Sequence, residues 1–269
     1  MTISTADLEA WRRDGCLIVR GAVAPEQLEA VVRTVDAEWQ ARAGNDHMID
    51  ILSGERIGES LRLADASPDL RRQVHKLNNL FLRRETVREA AFAPRLRAAL
   101  ETLLEGEPLI CNSLNFERGS QQPFHLDTWY MPPPVEDRMV AVNIAIDPMT
   151  STNGPFVYYP GSHLIDYYRF SSGHIAAVDG ELHLCAAYMQ AELERLGLKA
   201  ETAVLEPGDA FIWHARLYHG GAPILDPDAT RRSLVVHYWR ADDLEAGRVR
   251  SDANGAYLRQ TLRGELAPA

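Results

Sequence analysis

Met139-Val140-Ala141-Val142-Asn143-Ile144-Ala145-Ile146-Asp147 is the stretch that decides the fold. Side chains alternate between the two faces of a strand, so one face of this segment carries only valines and isoleucines. The other face carries Ala141, Asn143 and Ala145, which are small and partly polar. A solid barrel would place bulk on its inner face, so this pattern favours an enclosed cavity over the alternative, a solvated outer face.

The segments on either side of this strand predict an α+β protein. Before residue 108 the pattern is mainly helical, with predicted helices over residues 5–13, 25–43, 69–79, 85–92 and 94–104 and one short strand over 16–19. After it, short alternating runs separated by glycine, proline and asparagine predict strands over 109–117, 139–147, 156–159, 210–213 and 231–239, interrupted by one helix over 182–196. Helices followed by many strands indicate sheets that form a sandwich or barrel.

The overall composition excludes several classes of protein. A formal net charge of -10 argues against a nucleic-acid surface, and there is no polybasic cluster for an anionic membrane. The first ten residues are polar and no apolar run is long enough to span a bilayer, while three scattered cysteines do not form a disulfide framework. The sequence therefore predicts a reduced, cytoplasmic protein that binds neither nucleic acid nor membrane.

His125-Leu126-Asp127 is the proposed core of a metal site. On an extended segment the two outer side chains point to the same side, and one imidazole with one carboxylate is half of an open iron site. A second imidazole would complete the set of two histidines and one carboxylate that leaves one face of the metal free. The alternative is a buried histidine bonded to its local carboxylate without a metal.

Three histidines are candidates for the remaining ligand, namely His214, His219 and His237. Two glycines follow His219 directly, and they would allow the backbone to approach a bound group closely. We therefore favour His219. We expect His214 to support the site or lie in the core, and His237 to form hydrogen bonds in the cavity.

Arg231-Arg232-Ser233 opens the last predicted strand. A dicarboxylate cosubstrate that chelates iron at one end needs a fixed cation at the other, and the planar guanidinium suits this role. Arg231 and Ser233 would share the inward face while Arg232 points outward. The alternative is an ordinary surface arginine pair.

Together these segments resemble the phytanoyl-CoA dioxygenase family. The resemblance rests on Gln122 with His125-x-Asp127, the block from Asn153-Gly154-Pro155 to Pro160-Gly161-Ser162-His163, His219-Gly220, and Arg231-x-Ser233. It covers the chain from the first helix to about Tyr238.

The resemblance implies a double-stranded β-helix, or jelly-roll, core with N-terminal helices packed against the major sheet. The expected organisation is one oxygenase domain over 1–269, with a mainly helical N-terminal region over 1–107, a core over 108–240 and an extension over 241–269. The cofactors would be Fe(II), 2-oxoglutarate and O2. His125, Asp127 and His219 would bind the iron and Arg231 the distal carboxylate of 2-oxoglutarate, assisted by Ser233, Asn143 and Gln122.

The chain departs from the family pattern at two positions. Gly221 stands where many relatives carry a serine, and the interval from His219 to Arg231 is one residue longer, which leaves Arg232 as an alternative anchor. Asp127 itself is informative, because related halogenases replace this carboxylate with a small residue. Its presence favours hydroxylation or desaturation.

The implied activity is hydroxylation of a small or medium-sized organic molecule with release of succinate and CO2. One alternative is a jelly-roll protein that binds a metal or ligand without oxidation, which would not need Arg231 and Ser233 facing inward. The other is a cupin-type iron enzyme that does not use 2-oxoglutarate; such sites usually recruit more histidines, close together in sequence.

Overall fold

The computed structural model describes residues 3–261 and 263–267. In these residues the α-helices are α1 Thr5–Asp14, α2 Pro25–Gln40, α3 Glu85–Ala91, α4 Pro94–Leu104 and α5 Leu182–Leu196. The strands are β1 Cys16–Val19, β2 Met48–Ile51, β3 Ser60–Arg62, β4 His75–Asn78, β5 Pro108–Phe116, β6 Met139–Ala145, β7 Phe156–Tyr158, β8 Glu201–Thr202, β9 Ala210–His214, β10 His219–Gly221, β11 Ser233–Arg240, β12 Val249–Ser251 and β13 Ala256–Leu258.

Two sheets form the framework. The major sheet has the order β1-β9-β6-β11-β5-β4-β2-β3, with β13 beside β5 and β12 beside β13, and the minor sheet has the order β10-β7-β8. Neighbouring strands are antiparallel except for the β13–β5 pair. This arrangement matches the predicted α+β jelly-roll.

The alternation along β6 separates two hydrophobic clusters. Val140, Val142 and Ile144 pack in the cluster that includes α2, so the bulky face of the major sheet is covered by N-terminal helices. Ala141 and Ala145 pack with residues of the minor sheet in the space between the sheets. The small side chains therefore line the interior, as predicted, and leave room for a cavity there.

The helix predicted over 69–79 is wrong. A short 3₁₀ turn, Pro68–Arg72, is followed by β4, which pairs with β2 and β5. His75, Leu77 and their neighbours alternate in the β sense, and the strand partners on both sides outweigh the local helical tendency. β2, β3 and β4 therefore extend the major sheet from a region that was predicted to be helical.

Several boundaries also differ from the predictions. Ser4, not Thr5, caps α1, because its Oγ accepts from the Asp7 amide at 3.2 Å while Asp7 accepts from the Ser4 amide at 2.9 Å. α2 ends at Gln40, three residues early, and β11 begins at Ser233. The division of the chain at residues 107 and 240 stays a prediction.

Candidate metal centre

His125 and His219 are joined through their backbones. The His125 amide donates to the His219 carbonyl at 2.8 Å, and the His219 amide donates back to the His125 carbonyl at 3.1 Å. This isolated antiparallel bridge fixes two distant segments side by side, with the ring centroids 4.4 Å apart. The fold itself therefore determines the separation of the two imidazoles.

Gly220 and Gly221 make this bridge possible. A Cβ at Gly220 would lie 2.9 Å from the Gln122 carbonyl oxygen, and one at Gly221 would lie 2.6 Å from Ser120 Oγ. Real Cβ atoms do not tolerate such contacts, so the segment before His125 can lie against β10 only because both residues lack a side chain. The glycines thus admit neighbouring backbone, whereas the sequence suggested that they admit a bound group.

Both imidazoles are oriented by backbone carbonyls. His125 Nδ1 lies 2.8 Å from the Pro123 oxygen, and His219 Nδ1 lies 2.8 Å from the Leu217 oxygen. A carbonyl can only accept, so each Nδ1 carries the proton and each Nε2 keeps its lone pair. Both histidines therefore present the nitrogen that could bind a metal.

Asp127 supplies the third donor. Its Oδ1 lies 3.8 Å from His125 Nε2 and 3.7 Å from His219 Nε2. The donor atoms of these three side chains all lie within 4.8 Å of one another. The sequence suggested that His125 and Asp127 lie on one extended segment, but Asp127 begins a 3₁₀ turn. Its carboxylate nevertheless lies near both imidazoles.

The other oxygen of Asp127 is held by Trp213. The indole Nε1–H donates to Oδ2 at 2.8 Å in a fully buried contact. This bond leaves Oδ1 as the oxygen that faces the imidazoles, so the carboxylate is oriented for binding through one oxygen. Trp213 was predicted only as the end of a strand, and the structure places it with Phe211 in the cluster between the two sheets.

Burial and charge set the protonation of the three donors. Burial together with the neighbouring His219 lowers the pKa of His125 to about 4, so its imidazole is neutral at neutral pH. Burial raises the pKa of Asp127, but the imidazoles of His219 and His237 outweigh it and hold that pKa below its usual value. Two neutral imidazoles and one carboxylate are the forms that bind a divalent metal.

The other two candidate histidines are not part of the cluster of donors formed by His125, Asp127 and His219. His214 lies beside Trp11, and its Nδ1 accepts from the Arg216 amide at 3.2 Å, away from the donor set. His237 lies in the cavity, with Nε2 3.4 Å from Asp127 Oδ1 and Nδ1 3.2 Å from Asn112 Oδ1. The structure thus brings His219, and neither of the others, into the cluster of donors.

A cavity of about 310 Å³ opens from the three donors. Its wall contains the predicted residues Gln122, Asn143 and Arg231. Ser233 is buried behind the wall, and its hydroxyl has no hydrogen-bond partner among the described residues. The side-chain amide oxygen of Asn143, Oδ1, is also buried and has no hydrogen-bond partner among the described residues.

Arg231 is a buried cation inside this cavity. Only 3% of the residue is exposed, its Cζ lies 6.0 Å from the Phe116 ring centroid, and Nε has no partner among the described residues. Burial lowers the pKa of Arg231 to about 10, so the guanidinium is still charged at neutral pH. An unpaired buried charge is costly, and a bound anion would relieve that cost.

Arg232 points to the opposite side of the sheet. Its Nε and Nη2 donate to Asp147 Oδ1 at 2.9 and 2.6 Å, and its amide donates to Asp147 Oδ2 at 2.8 Å. The interval from His219 to Arg231 is one residue longer than in the family pattern, but this difference does not place Arg232 in the cavity. Of the two arginines, Arg231 alone faces the three donors.

The sequence missed a second section of the cavity wall. Lys76 and Asn78 come from β4, and Thr261 and Arg263 come from the extension after β13. Lys76 Nζ lies 3.4 Å from Asp50 Oδ2, which also accepts from Arg263 Nη2 at 2.9 Å. Lys76 and Asn78 alternate with Leu77, a β signal that the helix prediction for this segment concealed.

Comparisons with known proteins agree with this arrangement. Dioxygenase FrzG from Cladobotryum sp is 24% identical over 253 residues, which cover 87% of this chain and 74% of FrzG. Among solved structures, the non-heme alpha ketoglutarate dependent carbocyclase SnoK from nogalamycin biosynthesis has a TM-score of 0.66 at 16% identity, covering 88% of this chain and 84% of SnoK.

EctD from S. alaskensis, with 2-oxoglutarate and 5-hydroxyectoine, has a TM-score of 0.61 at 20% identity, covering 99% of this chain and 86% of EctD. At these identities the solved structures establish the fold. The sequence profile of the phytanoyl-CoA dioxygenase (PhyH) family matches residues 11–233, which is most of the chain. The chain therefore belongs to the phytanoyl-CoA dioxygenase family of iron- and 2-oxoglutarate-dependent dioxygenases.

Proposed function

We propose that this dioxygenase hydroxylates a small or medium-sized polar organic molecule. One O2 and one 2-oxoglutarate would be consumed, one oxygen atom would enter a C–H bond of the substrate, and succinate and CO2 would leave. The observation that carries this proposal is the buried guanidinium of Arg231, whose Nε has no hydrogen-bond partner among the described residues, in the same cavity as His125, Asp127 and His219.

The donor set fits Fe(II). His125 and His219 would each bind through Nε2, since Nδ1 is engaged by a carbonyl, and Asp127 would bind through Oδ1. All three donors come from one side, so the cavity side stays open for small ligands. When bound, the iron supplies the redox chemistry that couples decarboxylation of 2-oxoglutarate to oxidation of the substrate.

Arg231 would hold the distal carboxylate of 2-oxoglutarate. Its planar guanidinium can form two parallel hydrogen bonds with a carboxylate in a site from which water is largely excluded. The Asn143 oxygen, the Ser233 hydroxyl and Gln122 would complete the polar surroundings of the cosubstrate. Gly221, which replaces a serine found in many relatives, contributes no side chain to this site.

Both alternative functions receive less support. A protein that binds a metal or ligand without catalysing an oxidation would not require the buried cation Arg231 in the same cavity as the metal site. A cupin-type enzyme independent of 2-oxoglutarate would recruit a further imidazole as a ligand, whereas His237 Nε2 lies beside Asp127 Oδ1 and outside the cluster of donors. The family match also favours the 2-oxoglutarate-dependent reaction.

The strand register suggests where the organic substrate lies. Arg231 lines the cavity just before β11, and Asn143 lines it on β6. Lys76 and Asn78 line it on β4, and β5 lies between β4 and β11. If 2-oxoglutarate extends toward Arg231, the space along β4 and β5 is left for the substrate. Asn78 is 1% exposed, and neither polar atom of its amide has a partner among the described residues.

A buried amide without partners favours a ligand that offers both a donor and an acceptor. We therefore infer that the substrate places a polar group, such as a hydroxyl or an amide, against Asn78. A purely hydrocarbon surface at this position would leave both atoms of the amide unsatisfied, at a cost of about 1–3 kcal/mol for each buried group.

Replacing Asn78 with leucine should raise KM for the organic substrate about tenfold, because a hydrogen-bonded group would face an apolar side chain. KM for 2-oxoglutarate should not change. Asn115→Leu is the matched control. Asn115 is also buried, and its amide has no hydrogen-bond partner among the described residues, but it lies on the face of β5 opposite to the cavity residues Leu114 and Phe116. Equal effects of the two variants on substrate KM would contradict the assignment.

The proposed function is tested by O2-dependent release of succinate. Enzyme loaded with Fe(II) and 2-oxoglutarate should release succinate faster when a substrate is added, and the product should be heavier by one oxygen atom. A screen of small polar compounds scored for succinate identifies the substrate. An enzyme that binds Fe(II) but consumes no 2-oxoglutarate with any compound, or alone, would contradict the proposal.

We also propose a cytoplasmic location without nucleic-acid or membrane partners. Cys16, Cys111 and Cys185 are buried and free, which suits a reducing compartment. Among the described residues, none of the helices has the length and apolar character needed to cross a bilayer. The acidic net charge of -10 supports the absence of a nucleic-acid partner.

A further inference from the structure

The second section of the cavity wall, formed by Lys76, Asn78, Thr261 and Arg263, carries an excess of positive charge. Two of these four side chains are cations. Among the described residues that line the cavity, Asp127 is the only one with a carboxylate, and it belongs to the metal centre. The cavity surface beside Lys76 and Arg263 is therefore basic.

The carboxylate of Asp50 does not line the cavity, and it is occupied mainly by other donors. Arg263 Nη1 and Nη2 donate to its two oxygens at 3.0 and 2.9 Å, and Ser60 Oγ donates to Oδ1 at 2.5 Å. Lys76 Nζ lies 3.4 Å from Asp50 Oδ2, which is the longest of these contacts. Because two cations share this one carboxylate, one positive charge in the section has no counterion.

The Lys76 ammonium is largely withdrawn from water. Its side chain is 15% exposed, and Asp50 is its only ion-pair partner among the described residues. Burial lowers the pKa of Lys76, and the nearby Asp50 offsets only part of this effect. An ammonium has three donors, so a second anion in the cavity could accept from those that Asp50 leaves free.

The other charges of the cavity balance without a further anion. With neutral histidines, Fe(II) at Asp127 and doubly charged 2-oxoglutarate at Arg231 would together leave no net charge. The uncompensated charge is thus confined to the section that contains Lys76 and Arg263, which is also the section left for the organic substrate.

The strand register separates Lys76 from the 2-oxoglutarate site. Lys76 pairs with Asp50 of β2 on one side and with Phe116 of β5 on the other, and Phe116 pairs in turn with Ser233 of β11. Neighbouring strands are about 4.8 Å apart, so β4 and β11 are separated by roughly 10 Å. The Lys76 ammonium lies beside Asp50, on the side of β4 that faces away from β11. Lys76 and Arg231 therefore suit two different anions.

We propose that the organic substrate is a carboxylic acid and that Lys76 binds its carboxylate. This inference rests on the proposed function and narrows its substrate class. One net positive charge matches a carboxylate, which is singly charged at neutral pH, better than a phosphate monoester, which carries almost two charges. Asn78 lies two residues from Lys76 on the same face of β4, so one strand would contact both the acid group and the polar group inferred above.

The probes for the test are matched pairs of compounds, each a small carboxylic acid and its primary amide, included in the succinate screen. Wild-type enzyme should turn over the acids with a kcat/KM about tenfold or more above that of the amides, because hydrogen bonds to charged groups are the stronger ones. Lys76→Met should raise KM for the preferred acid about tenfold and leave KM for 2-oxoglutarate unchanged. Lys76→Arg should recover part of the loss, since it restores the charge.

Lys199→Met is the control, because Lys199 is the only other lysine in the chain, is exposed and does not line the cavity. It should leave KM for the acid unchanged. Asp50→Asn separates binding from support of the fold, because removal of the competing anion should lower KM for the acid. Loss of a merely structural cluster would raise it.

The inference is overturned if the compound with the highest kcat/KM carries no carboxylate, a result that needs no variant to fold. It is also overturned if Lys76→Met raises KM for 2-oxoglutarate and not KM for the acid, or if Asp50→Asn raises KM for the acid as much as Lys76→Met. A wild-type enzyme that releases no succinate with any compound would instead reject the proposed function.

Discussion

Replacing Asp127 with alanine should abolish succinate release and lower iron affinity by roughly 1000-fold or more. The change removes the only anionic donor, whereas loss of a residue behind a ligand costs about 10- to 100-fold. It also leaves the Trp213 indole without its buried acceptor. Turnover at saturating 2-oxoglutarate and anaerobic Fe(II) titration measure the two effects.

A matched pair of histidines provides the control for this prediction. His219→Ala should behave like Asp127→Ala, because His219 belongs to the cluster of donors. His214→Ala, five residues earlier, should keep wild-type iron affinity, because His214 lies beside Trp11 outside the cavity. Retained turnover in Asp127→Ala, or equal losses in the two histidine variants, would reject the assignment of the ligands.

Replacing Arg231 with alanine should raise KM for 2-oxoglutarate about 100-fold. Removing one partner of a buried, hydrogen-bonded charge pair costs about 2–5 kcal/mol, and each 1.4 kcal/mol is about tenfold in affinity. Iron affinity without 2-oxoglutarate should change little, because Arg231 is not among the donors. Initial rates over a range of 2-oxoglutarate concentrations give the result.

Arg232→Ala is the control for this second prediction. Arg232 pairs with Asp147 on the other side of the sheet, so its loss should lower the unfolding temperature and leave KM for 2-oxoglutarate unchanged. Arg231→Lys should recover some of the loss, since it restores the charge without the planar fork. A larger rise in KM for 2-oxoglutarate in Arg232→Ala than in Arg231→Ala would show that Arg232, and not Arg231, binds the distal carboxylate.

The features of the fold that depend on local pattern could be predicted from the sequence. β6 shows its two faces directly, because its bulky side chains pack toward the N-terminal helices and its small side chains face the space between the sheets. The convergence of His125, Asp127 and His219 was predicted from their residue types. The glycines after His219 also favoured it, although in the structure they admit neighbouring backbone and not a bound group. Their role as iron ligands stays a proposal.

The features that depend on distant partners could not be predicted. β4 is too short for its alternation to outweigh the helix prediction, and it becomes a strand because β2 and β5 pair with it on both sides. Lys76 and Asn78 were therefore not recognised as cavity residues. Glu265 reaches Asn79 across most of the chain, and no spacing rule connects them. The role of Gly221 also required the structure, because only the fold shows that a Cβ at this position would lie 2.6 Å from Ser120 Oγ.

Anaerobic titration of the protein with Fe(II) in the presence of 2-oxoglutarate tests the central claim most directly. A weak visible charge-transfer band should develop and saturate at one Fe(II) per chain, since the cosubstrate would chelate iron held by His125, Asp127 and His219. The band should be missing in Asp127→Ala and should require far more 2-oxoglutarate in Arg231→Ala. A wild-type protein that binds Fe(II) and 2-oxoglutarate without this band, or an Asp127→Ala variant that retains it, would contradict the claim.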